Sequence, residues 1–551
     1  MTNKLLFLIL LLFLSLSFLT LPRNPLQNDD AALYALAAKN AVVHNQWLAQ
    51  FVSPGDLSSF LDKPPLGIWL IAWPMKLFGV SELNVHIPNV LYFVILLGLI
   101  YFSLLKLAGR KLALYSTLIA ATSLCLVVYS RAPKLDVLLT LFVFTAHISL
   151  YAFLKKNNPA YLIPHTLSLA AGFLIKSGFG LLLPALTTLF LLAFNRRARQ
   201  TVFTLRSTLY VLLSVIVLVL IVGAVLFAQR AALGDQWIEY LKSITIQSKY
   251  NTSYTGFGFY SSVFGFLLIT IFPWTPFALT AIKLPFKKLL NSPHLSVGNR
   301  KSTKLTLSDF CSFWFWSNIL FLLFFYRQND LRTFTVFVPP LAILAGLRLL
   351  ALFRKPTTKT PAGWQAGRGF LIFWALFFLT IFSIIFAYLL INPLNHQGFS
   401  LSAAVLPIGL FVVSLALIAF FCLKPSKPLL AVCFAFTALS YSVLFYNTKP
   451  IADAFNPDLK WPGIIAEQRD KGTKFYIYRP PDRKLFYSPD LFWVDFMAGP
   501  ADRYFWDKNE LKGALRLEKA LILSDTESWN KLKVKRAKVL AQDDYSLLVI
   551  K

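Results

Sequence analysis

The stretch LLFLILLLFLSLSFLTL at residues 5–21, followed by PRNPLQNDD at 22–30, decides the fold class. An uncharged run of this length approaches the hydrocarbon thickness of a bilayer. It follows a lone Lys4 and ends in Leu21-Pro22-Arg23 without a small-x-small cleavage pattern, which predicts a retained membrane anchor rather than a signal peptide. Asp29 and Asp30 come directly after it. An ionisable group beside a bilayer is costly to keep and marks a functional candidate. Only ten of the 25 acidic residues lie in the first 446 positions, so this adjacent pair stands out.

Composition extends that reading to the whole chain. With 551 residues, 57% of them hydrophobic and 52 of them Phe, the sequence falls into long apolar stretches separated by short basic segments. This predicts an α-helical polytopic membrane protein. Further spans are expected at 86–105, 112–129, 135–154, 160–175, 177–194, 208–228, 260–282, 310–326, 333–353, 370–391, 401–423 and 428–446, about thirteen with the anchor. The formal charge of +29 would point to nucleic acid in a soluble protein. Here many of the cations sit in loops between apolar runs, where Lys and Arg set orientation, and no nucleic-acid partner is expected.

A cytoplasmic N-terminus makes each inner loop basic: Lys106, Arg110 and Lys111, then Lys155 and Lys156, then Arg196, Arg197 and Arg199, with comparable clusters through Lys424 and Lys427. The outer face then carries segments 22–85, 130–134, the turn at Lys176, 229–259, 327–332, 392–400 and the tail. The expected location is the bacterial inner membrane, with the active face and the tail periplasmic. Residues 1–446 read as the transmembrane catalytic domain. Residues 447–551 hold 15 of the 25 acids and read as an extramembrane α/β domain, with strands at KFYIY (474–478), ALILS (520–524) and LLVIK (547–551) and a helix near 458–471.

Other chemistries have little support. Cys125, Cys311, Cys422 and Cys433 all lie in predicted spans and read as packing residues. The six His are scattered without metal-ligand spacing, so no cofactor is expected and a divalent metal has no sequence support. No Gly-rich loop leads into Lys-Ser/Thr, which leaves nucleotide hydrolysis without machinery.

The first outer loop, within 22–85, carries two predicted interfacial helices, at 31–43 and 65–80. Such helices can hold a carboxylate at headgroup depth, where a lipid-linked substrate presents its phosphate. Between them, Asp62-Lys63-Pro64-Pro65 keeps a cation beside a carboxylate at a rigid turn. An ordinary interfacial loop also accommodates Pro-Pro.

Several motifs in order carry a family resemblance: Asp30-x-x-x-Tyr34, Lys63-Pro64-Pro65-Leu66 with Trp69, Leu77-Phe78-Gly79, RAPKLD at 131–136, Leu174-Ile175-Lys176-Ser177-Gly178 and Val338-Pro339-Pro340. Together they resemble the bacterial lipid-linked-sugar glycosyltransferases of family 83, in particular the branch transferring aminoarabinose to lipid A, within the protein O-mannosyltransferase superfamily of GT-C fold. The resemblance implies inverting transfer of a sugar from polyprenyl phosphate to a lipid or protein acceptor at the outer leaflet. It assigns Asp30 as general base or acceptor-orienting group, and Asp136 as a second aspartate facing the acceptor or supporting the site. Lys63 corresponds to the lysine that meets the donor phosphate, and Lys249 to a second-loop arginine with the same task. A polyprenyl phosphate is a good leaving group, so cations on its developing charge matter more than a proton donor.

Further candidates are Lys176 for the phosphate, and Asp29, Tyr34, Asp62, Arg131 and Arg332 around it. Asp29 competes with Asp30 for the family position, and the spacing to Tyr34 favours Asp30. Departures from the family pattern at Ala31, Leu33, Asp62, Asp330 and Phe334 leave the sugar and the acceptor open. Lys176 and Arg332 would equally suit nonspecific contact with headgroup phosphates. The competing class is a polytopic lipid or sugar transporter, which would show inverted repeats and ionisable pairs at the midplane. The sequence shows neither.

Overall fold

The computed structural model describes residues 2–26, 29–52, 63–245, 257–284, 305–324, 330–353, 401–449, 461–478, 496–498, 501–505, 507–534, 537–542 and 546–550, with scattered positions within 372–383. The anchor forms helix α1 (Thr2–Leu19), ended by a 3-10 turn at Leu21–Arg23 that contains Pro22. Helix α2 (Asp30–Val43) follows, with Asp29 as its N-cap, and α3 (Pro65–Phe78) starts on the Pro64-Pro65 pair. Proline suits a first helical turn because its missing N–H would have had no partner there.

The bundle continues with α4 (Glu82–Ala108), α5 (Arg110–Ala121), α6 (Leu124–Tyr129), α7 (Asp136–Lys156), α8 (Leu162–Lys176), α9 (Gly178–Phe194), α10 (Arg196–Val202), α11 (Leu205–Leu233) and α12 (Trp237–Thr245). After these come α13 (Phe257–Thr270), α14 (Thr275–Leu279), α15 (Leu307–Phe324), a 3-10 segment at Leu331–Phe337 that runs into α16 (Val338–Leu352), α17 (Leu401–Leu423) and α18 (Lys427–Tyr446). Among the described residues, seven helices are long and apolar enough to cross a membrane, or eight if the α9–α10 pair, bent by 109°, is one span. The bend has a local cause. The Asn195 side chain caps α10 at Ala198 N, and the cations Arg196, Arg197 and Arg199 turn the chain at the end of the apolar run.

Two expected spans are interrupted. The run 112–129 breaks at Thr122-Ser123, whose hydroxyls bond back to the Leu118 and Ile119 carbonyls and compete with the helix ladder. The run 260–282 divides into α13 and α14. The expected span at 370–391 lies for the most part outside the described residues. The helix expected at 31–43 also differs in its surroundings: Ala31 through Ala38 are all buried, so α2 is enclosed on every side instead of lying half-exposed at a surface. Its small side chains allow neighbours to approach all round.

Two local devices fix the helix ends that matter for the site. Helices α8 and α9 meet at Ser177, at positive φ, and Gly180 lies so near Gly172 that an added Cβ would fall 2.1 Å from its carbonyl oxygen. Only glycine permits that approach. Deeper in the bundle, His147 of α7 hydrogen-bonds Thr187 of α9 at 2.9 Å and stacks on Trp314 of α15 at 3.9 Å. Such a polar tie between apolar helices fixes their rotation.

The C-terminal region contains α19 (Trp461–Asp470), β1 (Lys474–Tyr478), β2 (Arg503–Phe505), α20 (Lys508–Leu517), β3 (Ala520–Asp525), α21 (Thr526–Leu532), β4 (Lys538–Gln542) and β5 (Ser546–Ile550). The sheet order is β2-β1-β3-β5-β4, parallel across β2, β1 and β3 and antiparallel across β3, β5 and β4. Alternation sends Phe475 and Ile477 to one face with Trp461 and Ile465, and Tyr476 and Tyr478 to the other with Leu511 and Leu515. The sheet is therefore covered on both sides, and Lys39 of α2 reaches this region at the Phe496 carbonyl, 2.8 Å away.

Candidate active site

Helix termini gather the charges. Asp30 is the first residue of α2 and Asp136 the first of α7, where the helix dipole favours a carboxylate, while Lys176 is the last of α8, where it favours a cation. Asp29 uses one carboxylate oxygen to cap α2 at Ala31 N, 2.7 Å away, and the other to take Lys134 Nζ at 2.5 Å. The Asp30 carboxylate accepts a hydrogen bond from Arg332 Nη1. Arg332 is held in turn by Asp330, whose Oδ2 is 2.5 Å from Arg332 Nε and whose Oδ1 accepts from Arg332 N at 3.0 Å. Asp136 accepts from Lys176 Nζ at 2.7 Å.

These pairs form one electrostatic unit. Arg332 feels the charges of Asp136, Asp30 and Asp330 and lies near Tyr34, and Asp30 feels those of Arg332, Lys63 and Lys134. Partial burial pushes the Asp30 carboxyl up, but the Arg332 charge and hydrogen bond, helped by Lys63 and Lys134, outweigh it and hold the group below the usual carboxylate value. Asp30 is thus ionised at neutral pH.

Depth separates the roles. The side chains of Asp29, Asp30 and Asp330 are 42%, 39% and 35% exposed, so they can touch a substrate. Asp136 is 3% exposed and Lys176 14%, so that pair forms the floor. Thr335 joins the layers, donating to the Arg332 carbonyl at 2.9 Å with the Asp136 carbonyl 3.4 Å away.

The structure brings together Asp29, Asp30, Tyr34, Lys63, Asp136, Lys176 and Arg332 of the sequence candidates. Lys249 and Asp62 lie outside the described residues. Arg131 is turned away from the cluster: its guanidinium donates to the Ser17 and Thr20 carbonyls at 2.7 and 2.8 Å, at the end of α1, and lies over the Phe445 ring. Its backbone has a different use, since His86 and Asn24 take its carbonyl at 2.6 and 2.8 Å while Asn89 holds the Lys134 carbonyl at 2.8 Å. These buried groups clamp the 131–136 turn that presents Lys134 and Asp136.

Lys134 and Asp330 were not singled out from sequence as site residues. Lys134 stands inside the RAPKLD motif, yet its partner is far away in the chain, and Asp330 read as a departure from a pattern. Among the described residues no group of three or more His, Cys, Asp or Glu side chains is arranged to hold a metal ion. The arrangement offers an exposed, cation-held carboxylate at Asp30 with cations around it, suited to an anionic substrate that also presents a nucleophile.

Residues 62–227 match the family described as dolichyl-phosphate-mannose-protein mannosyltransferase. YkcB of Bacillus subtilis (strain 168), named as a candidate mannosyltransferase, is 27% identical over 217 residues, which is 38% of this chain and 29% of that protein. The undecaprenyl phosphate-alpha-4-amino-4-deoxy-L-arabinose arabinosyl transferase 1 of Proteus mirabilis (strain HI4320) is 24% identical over 297 residues, 52% of each chain. The chain thus spans from 29% to 52% of the length of the curated relatives it matches. The crystal structure of ArnT from Cupriavidus metallidurans bound to undecaprenyl phosphate superposes with a TM-score of 0.72 over 98% of this chain and 97% of that one, at 15% identity. The chain has the GT-C fold of ArnT and is a multi-pass membrane protein.

Proposed function

We propose that this chain, built on the GT-C fold it shares with ArnT, is an inverting glycosyltransferase that moves a sugar from a polyprenyl phosphate, of which undecaprenyl phosphate is the expected form, to a lipid or protein acceptor at the periplasmic face of the bacterial inner membrane. The observation that carries the reading is the Asp30–Arg332 pair, exposed above the Asp136–Lys176 floor and within electrostatic reach of Lys63.

The acceptor oxygen forms a bond to the anomeric carbon as the bond from that carbon to the phosphate oxygen breaks, and polyprenyl phosphate leaves as the anion. Lys63, with Lys176 and Lys249 as further candidates, stabilises the negative charge gathering on the leaving phosphate. Asp30 accepts a hydrogen bond from the attacking group and takes its proton when the acceptor is a hydroxyl. Its low pKa makes it a weak base, so orientation and charge stabilisation carry much of its contribution. Asp136 holds Lys176 and biases Arg332 from beneath.

Removing a charge-assisted phosphate contact costs about 1.5 to 3 kcal/mol. Lys63→Ala is therefore expected to weaken use of the lipid-phosphate donor by roughly tenfold or more, read from rates across a donor titration. Unchanged kinetics would remove Lys63 from the donor site. Orientation is tested separately. Cysteines introduced at Ser58 and Ser488 are expected to react with an impermeant reagent in intact spheroplasts and one at Ser302 to stay silent, whereas protection of both outer positions would reverse the assigned face.

Mass spectrometry of envelope glycolipids and glycoproteins from cells with and without the protein tests the function as a whole. The expected result is loss of one sugar increment from one acceptor class. Identical profiles in the two strains, under conditions where the protein is made and its lipid-linked sugar is present, would count against the transferase reading.

A further inference from the structure

The Lys63-Pro64-Pro65 turn poses a physical problem. Pro64 and Pro65 have no N–H, so neither can donate a backbone hydrogen bond to steady the segment. Side chains from elsewhere take its carbonyls instead. Tyr240 Oη, from α12, lies 3.3 Å from the Lys63 carbonyl, and Gln50 Nε2 lies 3.2 Å from the Pro65 carbonyl.

Tyr240 is itself held. Gln229 of α11 places its amide nitrogen 2.9 Å from Tyr240 Oη and 2.9 Å from the Leu48 carbonyl. A phenol has one proton and a primary amide has two. The Gln229 amide nitrogen supplies both of those contacts, and the single phenol proton is shared between two acceptors, the Lys63 carbonyl at 3.3 Å and Gln229 Oε1 at 3.2 Å. Tyr240 and Gln229 are each 2% exposed, in an enclosure that includes Ala49, Phe51, Leu233 and Ile244.

The polar pair is not needed to fill that enclosure. An apolar pair of similar volume would fill the space but would take these donors from the Leu48 and Lys63 carbonyls. What the hydroxyl and amide add is a defined distance to the carbonyls of Leu48 and Lys63. Helix α11 is otherwise largely uncovered, its buried residues being Ser207 near one end and Gln229 and Leu233 near the other.

We propose that Tyr240 and Gln229 are positioning residues for Lys63: by fixing the backbone of the Pro-Pro turn they set where the Lys63 ammonium meets the phosphate of the lipid-linked donor. The affinity for that phosphate is then tuned from α11 and α12, elements that contribute no charged group to the cluster around Asp30. This inference rests on the donor assignment made under Proposed function.

The test is binding of undecaprenyl phosphate to the full-length protein in nanodiscs, titrated for wild type, Tyr240→Phe, Lys63→Ala and the double variant, with thermal melting followed in parallel. Tyr240→Phe is expected to weaken binding about threefold to tenfold, the loss of one hydrogen bond's worth of positioning. The double variant is expected to bind no more weakly than Lys63→Ala, because a misplaced backbone has no further effect once the ammonium is gone. Gln229→Met, which leaves the phenol in place but unanchored, is expected to weaken binding through the same route and with the same lack of additivity. Binding unchanged in Tyr240→Phe, or losses that multiply fully with Lys63→Ala, would overturn the inference while leaving the donor assignment standing. Failure of the wild-type protein to bind undecaprenyl phosphate would overturn the donor assignment and the inference together.

Discussion

Asp30→Asn is expected to lower turnover by about a hundredfold to ten thousandfold while donor binding is retained, the range typical of a positioned acid–base group. The substitution is nearly isosteric and keeps a hydrogen-bond acceptor near Arg332, so the effect isolates the charge and the ability to take a proton. Asp30 is suited to the task by its exposure and by the Arg332 pair that keeps it ionised. Asp29→Asn is expected to be far milder. Asn caps a helix as well as Asp does, so α2 keeps its start and only the negative charge facing Lys134 is lost. Rates measured on the two purified variants separate the alternatives. Abolition by Asp29→Asn with Asp30→Asn active would reverse the assignment of the two adjacent aspartates.

The second large effect is on stability. Asp136→Ala is expected to destabilise the protein by about 3 to 5 kcal/mol, because it removes the buried carboxylate that Lys176 Nζ meets at 2.7 Å. Adding Lys176→Met is expected to recover much of that loss, since an uncharged side chain of similar length removes the cation that has lost the Asp136 carboxylate. Activity should not return with stability, because the floor under Arg332 is still missing. Melting temperatures in detergent and donor turnover, measured on the single and double variants, check both halves. A single variant as stable as wild type, or a double variant no better than the single, would show that the pair is not the buried tie described.

Much of the helical fold was legible because a span in lipid satisfies its own backbone and needs only length and apolarity. The expected runs at 135–154, 177–194 and 428–446 correspond closely to α7, α9 and α18, and the three expected strands correspond to β1, β3 and β5. The missed features have local causes. Strand β2 has three residues, too few to show alternation, and β4 carries a register shift between Val539 and Ala541 that breaks the pattern. The Thr122-Ser123 break lies inside an apolar run and depends on hydroxyl rotamers.

The candidate site was legible in part. Asp30 and Lys63 could be singled out by residue type and position and Asp136 by the family resemblance, and the structure brings their surroundings together. Partners could not be read, because each pairing joins segments far apart in the chain: Asp29 with Lys134, Asp30 with Arg332 and Asp136 with Lys176. Arg131 illustrates the converse. Charge and motif marked it as a site residue, whereas its guanidinium is spent on the carbonyls that end α1. The same ambiguity attends any buried arginine, since helix carbonyls and phosphates attract it alike.

The most direct test of the central claim follows the sugar itself. Purified protein reconstituted in liposomes would be given undecaprenyl phosphate carrying an isotopically labelled sugar, together with envelope glycolipid and protein acceptors, and the labelled products identified by mass spectrometry and NMR. The account predicts cleavage at the anomeric carbon, label on an acceptor with inverted configuration, free undecaprenyl phosphate in equal amount, and loss of all three with Asp30→Asn. Intact labelled donor carried across the bilayer without cleavage, or transfer undiminished in Asp30→Asn, would contradict it.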